Sequence, residues 1–284
     1  MPSRLAQVAI LVTWAAAAVA LFTRDLLPEF LIGAAPDLRA LASPGTPPGP
    51  VKWVILTAEG RSTLALRPVG EATTETKPTL DGGVELTSEA WFNSGELLRG
   101  TPLAIPHESR LEMKSVYRVD KSGSLQGFTA SIRADDDRDA LVSMVGQVKL
   151  RTLEVKSTGP LPILTWTKSF PYEPRGLVQA TMGAMDRLPG LKLGQRWDTR
   201  VVSPLTGRVE TVRVEVARRA ELYWDGGMVS TLEVVAHMTP LRATTWVRPD
   251  GLVLRQEVPF PLFRVVLERL PDLKRGEAGA EGRP

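Results

Sequence analysis

The feature that most constrains the fold of this chain is a succession of short alternating segments within residues 51–270, each ended by a turn. Residues 111–119 place mostly apolar side chains at every second position, and the polar tetrapeptide 120–123 turns the chain into an apolar segment over 125–132. Residues 211–216 alternate in the same way. Alternation with a period of two, ended by turns rich in glycine and aspartate, is typical of antiparallel strands joined by hairpins. We therefore predict a mainly β domain of the α+β class, built on one large curved antiparallel sheet or half-barrel.

One internal segment departs from this pattern. Residues 176–188 carry apolar side chains at helical spacings, namely Leu177, Met182, Met185 and Leu188. The dipeptide Pro189-Gly190 then ends the segment. These spacings predict an amphipathic helix over 176–188 that packs its apolar face on the sheet.

An uncharged apolar stretch near the amino terminus, residues 5–22, begins at Leu5 and ends at Phe22. As a helix, a stretch of this length would extend roughly 27 Å, close to the roughly 30 Å hydrocarbon core of a bilayer. We predict that residues 1–23 are either an uncleaved transmembrane signal-anchor or a signal peptide, for which Ala20 would end the small-residue cleavage site.

Both alternatives place the rest of the chain outside the cytoplasm. Arg4 lies before the apolar stretch, whereas Arg24 after it is followed at once by Asp25. This weak charge bias favours a cytoplasmic amino terminus. We therefore expect a single-pass protein of a bacterial inner membrane, held by residues 5–22 with its carboxyl-terminal domain in the periplasm, or a protein secreted after signal cleavage.

Composition divides the remaining chain into three parts. Residues 24–50 contain an amphipathic stretch, expected to be a juxtamembrane helix, followed by a Pro/Gly-rich run over 43–50 that acts as a stiff linker. Residues 51–270 form the β-rich extracytoplasmic domain. The charged and glycine-rich residues 271–284 are expected to form a disordered tail.

The composition also excludes several classes of function. The chain has no cysteine, which excludes disulfides, thiolate metal sites and cysteine nucleophiles. Its formal net charge is only +3, and no basic stripe is interleaved with aromatic residues, so nucleic-acid binding is not expected. No phosphate-binding glycine loop, dinucleotide fingerprint or Gly-x-Ser-x-Gly motif occurs. We expect a non-catalytic protein without a cofactor.

The sequence offers two weak candidates for a metal site. The histidines His107 and His237 are far apart in the chain, and we expect them in a loop and near a strand end. The acidic run 135–139 (Asp135, Asp136, Asp137 and Asp139) has the spacing of the first calcium-loop ligands, but Ala140 and Gly146 replace the glycine and the bidentate glutamate. A solvated hairpin tip is the favoured interpretation, with a weak cation site as the alternative. We predict no dedicated metal site.

Motifs in the last third of the chain resemble a known group of proteins. They are the turn over 191–197, which contains Gly194-Gln195-Arg196-Trp197, the loop 203–207, and the hairpin 246–257, which begins with Trp246-Val247-Arg248. This succession resembles the β-rich domain that precedes the catalytic domain in some bacterial transglutaminase-like proteins. It is also similar to envelope proteins with a LolA-like curved sheet wrapped around a helix. The resemblance implies an extracytoplasmic half-barrel with an apolar concavity, but not transglutaminase activity, because the cysteine nucleophile is missing.

Large apolar side chains are candidates for the lining of such a concavity. They are Trp166, Met182, Met185, Trp197, Trp246, Phe260 and Phe263. Each ligand methylene buried among them would contribute about 0.8 kcal/mol. The competing interpretation is that these residues form the core that a single sheet needs against its helix.

Two functions therefore remain open. The first is a membrane-tethered domain that binds an apolar envelope ligand, either a lipid or a lipoprotein. The second is a structural or interaction module that contacts another envelope protein. An open apolar cleft between the sheet and residues 176–188 would favour the first, and a sealed core would favour the second.

Overall fold

A computed structural model describes residues 13, 17, 35, 36, 49–59, 66–99, 109–134, 140–172, 178–180, 185–202, 208–238, 241–259 and 263–271. The predictions for residues 1–50 and 271–284 fall outside these residues, apart from the few isolated positions just given. Of the apolar stretch 5–22, the structure describes only Thr13 and Ala17, both of which are helical. In the described part of the chain, no helix is both long enough and apolar enough to cross a bilayer.

The described residues form fifteen strands in a single sheet. The strands are β1 Val51–Glu59, β2 Arg67–Pro78, β3 Val84–Asn93, β4 Arg110–Val119, β5 Leu125–Ala134, β6 Ala140–Lys149, β7 Thr152–Thr158, β8 Trp166–Pro171, β9 Val178–Ala180, β10 Arg196–Val202, β11 Val209–Trp224, β12 Gly227–Met238, β13 Leu241–Val247, β14 Val253–Pro259 and β15 Phe263–Arg269. A short helix, α1 Ser94–Leu98, follows β3, and a 3-10 turn, Pro162–Leu164, precedes β8.

The order of the strands follows the chain around a nearly closed ring. Strands β1 to β8 lie side by side in sequence order, β9 to β15 do the same, and β15 pairs with β1. Neighbours are antiparallel except for β9, which runs parallel to β10. The break in the ring lies between β8 and β9, the two edges of the sheet. Across this break, Arg200 of β10 donates a hydrogen bond from Nη1 to the Pro171 carbonyl at 2.9 Å, so the two ends of the sheet approach each other.

Local turn chemistry sets the hairpins. Asp120 follows β4, and its Oδ1 accepts a hydrogen bond from the Ser122 N–H at 2.8 Å, while Gly123 takes the left-handed φ of 81° that the turn requires. The β11–β12 hairpin turns through Asp225 and Gly226, with φ of 49° and 76°. Two consecutive positive φ angles are the signature of the type I′ turn that matches the twist of paired strands. The large curved antiparallel sheet predicted from these patterns is confirmed.

The helix predicted over 176–188 is wrong for the part of this segment that the structure describes. Residues Val178–Ala180 form β9, and Arg187 makes an isolated antiparallel bridge with Leu252. The Leu188 N–H donates to the Gly251 carbonyl at 2.7 Å. Their backbone groups are thus bonded to β10 and to the start of β14, and these long-range partners override a local preference for helix.

The concave face of the sheet carries two cores. The first core joins Trp53 and Ile55 of β1 to Val212, Val214 and Val216 of β11, with further side chains from β2, β10 and β12 to β14. Strands β2 and β10 stand far apart in the sheet order, so the sheet curls until they share one core. The second core lies on the same face over β4 to β7, with half-buried residues of β3 and β8 at its margin.

A crossing segment, defined here as residues 185–195, closes the first core. Its Leu188 and Leu191 pack against that core. Asp186 accepts a hydrogen bond through its backbone carbonyl from the Val253 N–H at 3.0 Å, and its carboxylate accepts one from the Thr76 hydroxyl at 3.3 Å. The segment therefore ties β14 to β2.

Candidate functional site

The structure distributes the three predicted tryptophans among three separate clusters. Trp197 packs on the first core, Trp166 on the second core, and Trp246 on a third cluster with Leu252 and Leu254. Hence these tryptophans do not line one common pocket.

The structure says less about the other four residues predicted to line the concavity. Met185 is half-buried at the start of the crossing segment. Met182 and Phe260 lie outside the described residues. Phe263 begins β15, and the structure describes its backbone alone.

The surroundings of Trp197 are a filled core. Trp53 is completely buried there, and its Nε1 donates a hydrogen bond to the Thr74 hydroxyl at 2.9 Å. Val247 and Val253 are also completely buried, and the crossing segment packs on the same cluster. These contacts indicate that the first core stabilises the fold.

Trp246 lies on the outer face, because its neighbour Val247 faces the first core and successive residues of a strand face opposite ways. The Arg255 guanidinium lies 5.5 Å from the centre of the Trp246 ring. Arg255 also lies 3.8 Å from a carboxylate oxygen of both Glu257 and Glu268. Trp246 therefore belongs to a half-buried arrangement of charges on β14 and β15.

Trp166 stands at the end of a different arrangement, which we call the serine row. Its members lie directly opposite one another across six strands, from β3 to β8: Ser88, Ser115, Ala130, Met144, Ser157 and Trp166. Residues opposed in this way point to the same face of a sheet. Because Met144 and Trp166 belong to the second core, the row crosses the concave face.

Three polar atoms of the serine row are buried without a hydrogen-bond partner: Ser115 Oγ, Ser157 Oγ and Trp166 Nε1. Ser157 is 0% exposed and Ser115 is 6% exposed. A buried polar group that makes no hydrogen bond costs about 1–3 kcal/mol, so native proteins satisfy nearly all of them with protein, water or ligand atoms. The serine row therefore offers unused hydrogen-bonding capacity on the concave face.

Apolar rows flank the serine row on both sides. On one side, the Tyr117 and Phe128 rings stack with centres 5.8 Å apart, and Phe128 faces Gly146 on β6. The row on the other side is apolar and half-buried, and consists of Ala90, Met113, Ile132 and Val142. A line of polar atoms between apolar walls is the usual composition of a small-molecule site.

Sequence reasoning missed Ser115 and Ser157. A signal was present, since Ser115 lies in phase with Met113 and Tyr117 on the apolar side of its strand. It could not be interpreted from β4 alone, because the row exists only when six strands are placed in register.

Of the residues considered as metal ligands in the sequence, the structure describes only His237. His237 lies exposed on β12, with Nε2 3.3 Å from Glu215 Oε1. His107 and the acidic run 135–139 lie outside the described residues. Within the described ranges, no group of three or more His, Cys, Asp or Glu side chains is placed to hold a metal ion.

A shallow cleft of about 360 Å³ lies on the outer face of β2 to β5, around Trp91. The Arg110 guanidinium lies 4.7 Å from the centre of the Trp91 ring, and Arg110 Nη2 lies 3.5 Å from a Glu112 carboxylate oxygen. Lys114 pairs with Glu89 at 2.5 Å. This cleft is charged and open, in contrast to the apolar surroundings of the serine row.

Comparison with known proteins identifies a structural relative. No protein-family model matches the chain, and no curated protein matches it in sequence. The crystal structure of a β-barrel-like protein of domain of unknown function DUF1849 from Brucella abortus is similar, with a TM-score of 0.50, 9% sequence identity, and coverage of 78% of this chain and 94% of that chain. At this identity, the similarity shows the fold alone. It shows a bacterial β-barrel-like fold, and not the transglutaminase-associated domain in particular.

Proposed function

We propose that this protein is a non-catalytic binding protein that holds an apolar envelope ligand, a lipid or the acyl chain of a lipoprotein, against the concave face of β3 to β8. The observation that carries the proposal is the set of buried polar atoms without partners, Ser115 Oγ, Ser157 Oγ and Trp166 Nε1, on an otherwise apolar surface. The β-barrel-like fold is compatible with this role, since β-barrels commonly enclose ligands.

The location of the ligand is argued from the two cores. Large side chains fill the first core, and the crossing segment packs on it. On the concave face of β3 to β8, the buried Met144 and Phe128 of the second core stand beside the half-buried Ala130 and Ile132, so this face is less completely covered. A ligand that buries ten methylenes there would gain roughly 8 kcal/mol before the cost of ordering is subtracted.

The binding experiment compares two substitutions on one strand. Ala130→Leu adds bulk to the middle of the serine row, whereas Thr129→Leu places the same leucine side chain on the exposed outer face of β5. We expect uptake of a fluorescent fatty acid by the purified full chain in detergent-free buffer, at least tenfold weakened by Ala130→Leu and unchanged by Thr129→Leu. Native mass spectrometry of the same samples should detect the bound ligand. No uptake by the parent chain, or equal uptake by the two variants, would contradict the proposal.

The proposed cellular location is the outer side of a bacterial inner membrane. It rests on residues 5–22, as anchor or as signal peptide. Protease added to intact spheroplasts should degrade the β domain if it is exported, whereas a cytoplasmic control protein should survive. Protection of the domain until the membrane is lysed would exclude export.

The outer cleft supports a second candidate function, an interaction module for another envelope protein. Trp91 presents apolar surface among the charged side chains of Arg110, Glu112, Lys114 and Glu89. Crosslinking from Lys114, which lines the same cleft, should recover one stoichiometric protein partner in native membranes, and Trp91→Ala should abolish its recovery. Recovery of lipid alone would contradict this second function.

A further inference from the structure

We infer that one end of the β domain docks on the surface of a lipid bilayer through apolar side chains carried by its hairpin turns. The inference goes beyond the proposed function, because it concerns the orientation of the domain on the membrane and not the ligand that the domain holds. It shares only the cellular location with that proposal. Three observations support it: which turns share one end of the sheet, what these turns expose, and where the amino-terminal apolar stretch joins the domain.

Strand direction places several turns at one end of the sheet, the end at which β1 begins, which we call the turn end. Strands β1 to β8 are antiparallel to their neighbours, so the β2–β3, β4–β5 and β6–β7 turns all lie there. The first two are close together, since a Cβ on Gly82 would lie 3.8 Å from the Lys121 Cβ. The β11–β12 turn lies at the same end, because β15 is antiparallel to β1 and the strands from β11 to β15 alternate in direction.

The turn end exposes large apolar side chains. Leu80 in the β2–β3 turn and Leu150 in the β6–β7 turn are fully exposed. Tyr223 and Met228 lie opposite each other beside the β11–β12 turn and are 67% and 64% exposed. Single exposed apolar residues are common on protein surfaces, but here four of the described ones lie at one end of the sheet. Their placement indicates an external contact.

Leu150 in particular is not explained by the fold. Its φ is 57°, in the left-handed region that glycine and asparagine adopt more readily than leucine. Its side chain is 99% exposed, so packing within the domain does not compensate for this conformation. A residue that neither eases the turn nor fills a core is suited to a surface outside the domain, and a leucine at a projecting tip is suited to an apolar one.

The charged side chains of the turn end suit a lipid surface. Lys121 of the β4–β5 turn and Arg151 of the β6–β7 turn are exposed. Two acidic residues are engaged within their own turns: the Asp81 carboxylate accepts a hydrogen bond from the Thr79 hydroxyl, and that of Asp120 accepts one from the Ser122 N–H. Basic side chains beside apolar tips can contact lipid phosphates while the tips enter the apolar layer.

The amino-terminal apolar stretch joins the domain at this same end. Strand β1 begins there with Val51, and residues 23–50 connect it to the apolar stretch 5–22. With residues 5–22 as an anchor, the turn end is the end of the domain from which the chain leads to the membrane. The exposed Leu161 and Ile163 lie between β7 and β8, at the opposite end, and provide a control of the same chemistry.

The test uses the absence of cysteine from the chain, which allows one position at a time to be labelled. The full-chain variants Leu80→Cys, Leu150→Cys and Ile163→Cys each carry an environment-sensitive fluorophore and are reconstituted in liposomes of phosphatidylethanolamine and phosphatidylglycerol. A spin-labelled lipid in the same liposomes quenches fluorophores that contact the bilayer. We expect quenching at positions 80 and 150 to be at least threefold stronger than at position 163. No quenching at 80 and 150, or equal quenching at all three positions, would overturn the inference.

Paired substitutions test whether the turns dock together. With the fluorophore at Met228→Cys, the pair Leu80→Asp and Leu150→Asp should reduce quenching at least twofold, because a charged side chain is costly to bury in the bilayer. The matched control is the pair Leu161→Asp and Ile163→Asp at the opposite end, which should leave quenching unchanged. An equal effect of the two pairs would overturn the inference. Uptake of the fluorescent fatty acid is measured on the same variants and should not change, so a failure of docking leaves the proposed function intact.

Discussion

The ring of Phe128 lies directly against the bare backbone of Gly146 on the neighbouring strand, in the space that a Cβ at position 146 would occupy. Phe128 also stacks on Tyr117 and is buried in the second core. The glycine thus allows an aromatic side chain to lie close to the sheet, and the two residues depend on each other.

Substitution of Gly146 should therefore destabilise the protein. In Gly146→Ala the new methyl group overlaps the Phe128 ring, and overpacking of this kind costs about 1–3 kcal/mol. Gly227→Ala on β12 is the control, since nothing lies within 4 Å of a Cβ there. Urea denaturation should show a lower unfolding free energy for Gly146→Ala alone, and equal stability of the two variants would contradict the packing argument.

The hydrogen bond between Trp53 and Thr74 gives a second prediction. Thr74→Val leaves the Trp53 indole N–H, which is completely buried, without an acceptor, at a cost of about 1–3 kcal/mol. Thr73→Val, one residue earlier and on the outer face, should change the free energy of unfolding little. Thermal unfolding of both variants measures the difference. A Thr74→Val variant as stable as the parent would mean that the indole N–H finds another acceptor.

Tyr172 should make the free energy of unfolding depend on pH in the alkaline range. Burial raises the pKa of the Tyr172 phenol above its ordinary value of 10.0, and its Oη accepts a hydrogen bond from the Leu125 N–H at 2.8 Å. The unfolded chain therefore loses this proton at a lower pH than the native protein. The stabilising contribution is complete below pH 10.0 and is lost as pH rises through the native pKa.

Urea denaturation above and below pH 10.0 tests this dependence. Tyr172→Phe should flatten the alkaline loss of stability, and at neutral pH it should cost about 1–3 kcal/mol because the Leu125 N–H loses its acceptor. Tyr223→Phe is the control, since Tyr223 is 67% exposed. The same alkaline slope in Tyr172→Phe and in the parent chain would refute the assignment.

Asp250 should make the stability of the protein depend on pH in the acid range. Its hydrogen bonds with Arg248 are the main cause that lowers the pKa of its carboxyl below the ordinary 3.8, and the Leu252 N–H donates to it as well. A lowered native pKa stabilises the protein above the unfolded value, and this contribution is lost as pH falls. Asp250→Asn should reduce the loss of stability between about pH 5 and 3. Asp198→Asn, the same substitution at an exposed site on β10, is the matched control.

Local patterns predicted much of the fold. The alternation of β4 and the turn beginning at Asp120 depend on near neighbours in sequence, and both are present in the structure. The helix predicted over 176–188 was wrong in its described part because this segment depends on partners that are distant in sequence. Strand β9 and Asp186 bond to backbone groups of β10 and β14, and no local pattern encodes those partners.

The candidate site was predicted only in part. Trp166 was a predicted lining residue and stands at one end of the serine row, whereas Trp197 and Trp246 belong to a filled core and to the outer face. Whether two distant residues share a face depends on the register of every strand between them. For Ser115 and Ser157 that means four consecutive strands, β4 to β7, and a sequence gives no direct measure of those registers.

The pairing of β1 with β15 has a consequence for how the chain reaches its native state. Trp53 lies opposite Arg269, more than two hundred residues later, so the two ends of the domain must meet. During synthesis from the amino terminus, one side of β1 therefore has no partner until the last strand is available. Contacts of such sequence separation slow folding, and an exposed strand edge can pair with other chains meanwhile. Loss of the last few residues of β15 would thus expose the first strand to aggregation, although the two segments lie at opposite ends of the sequence.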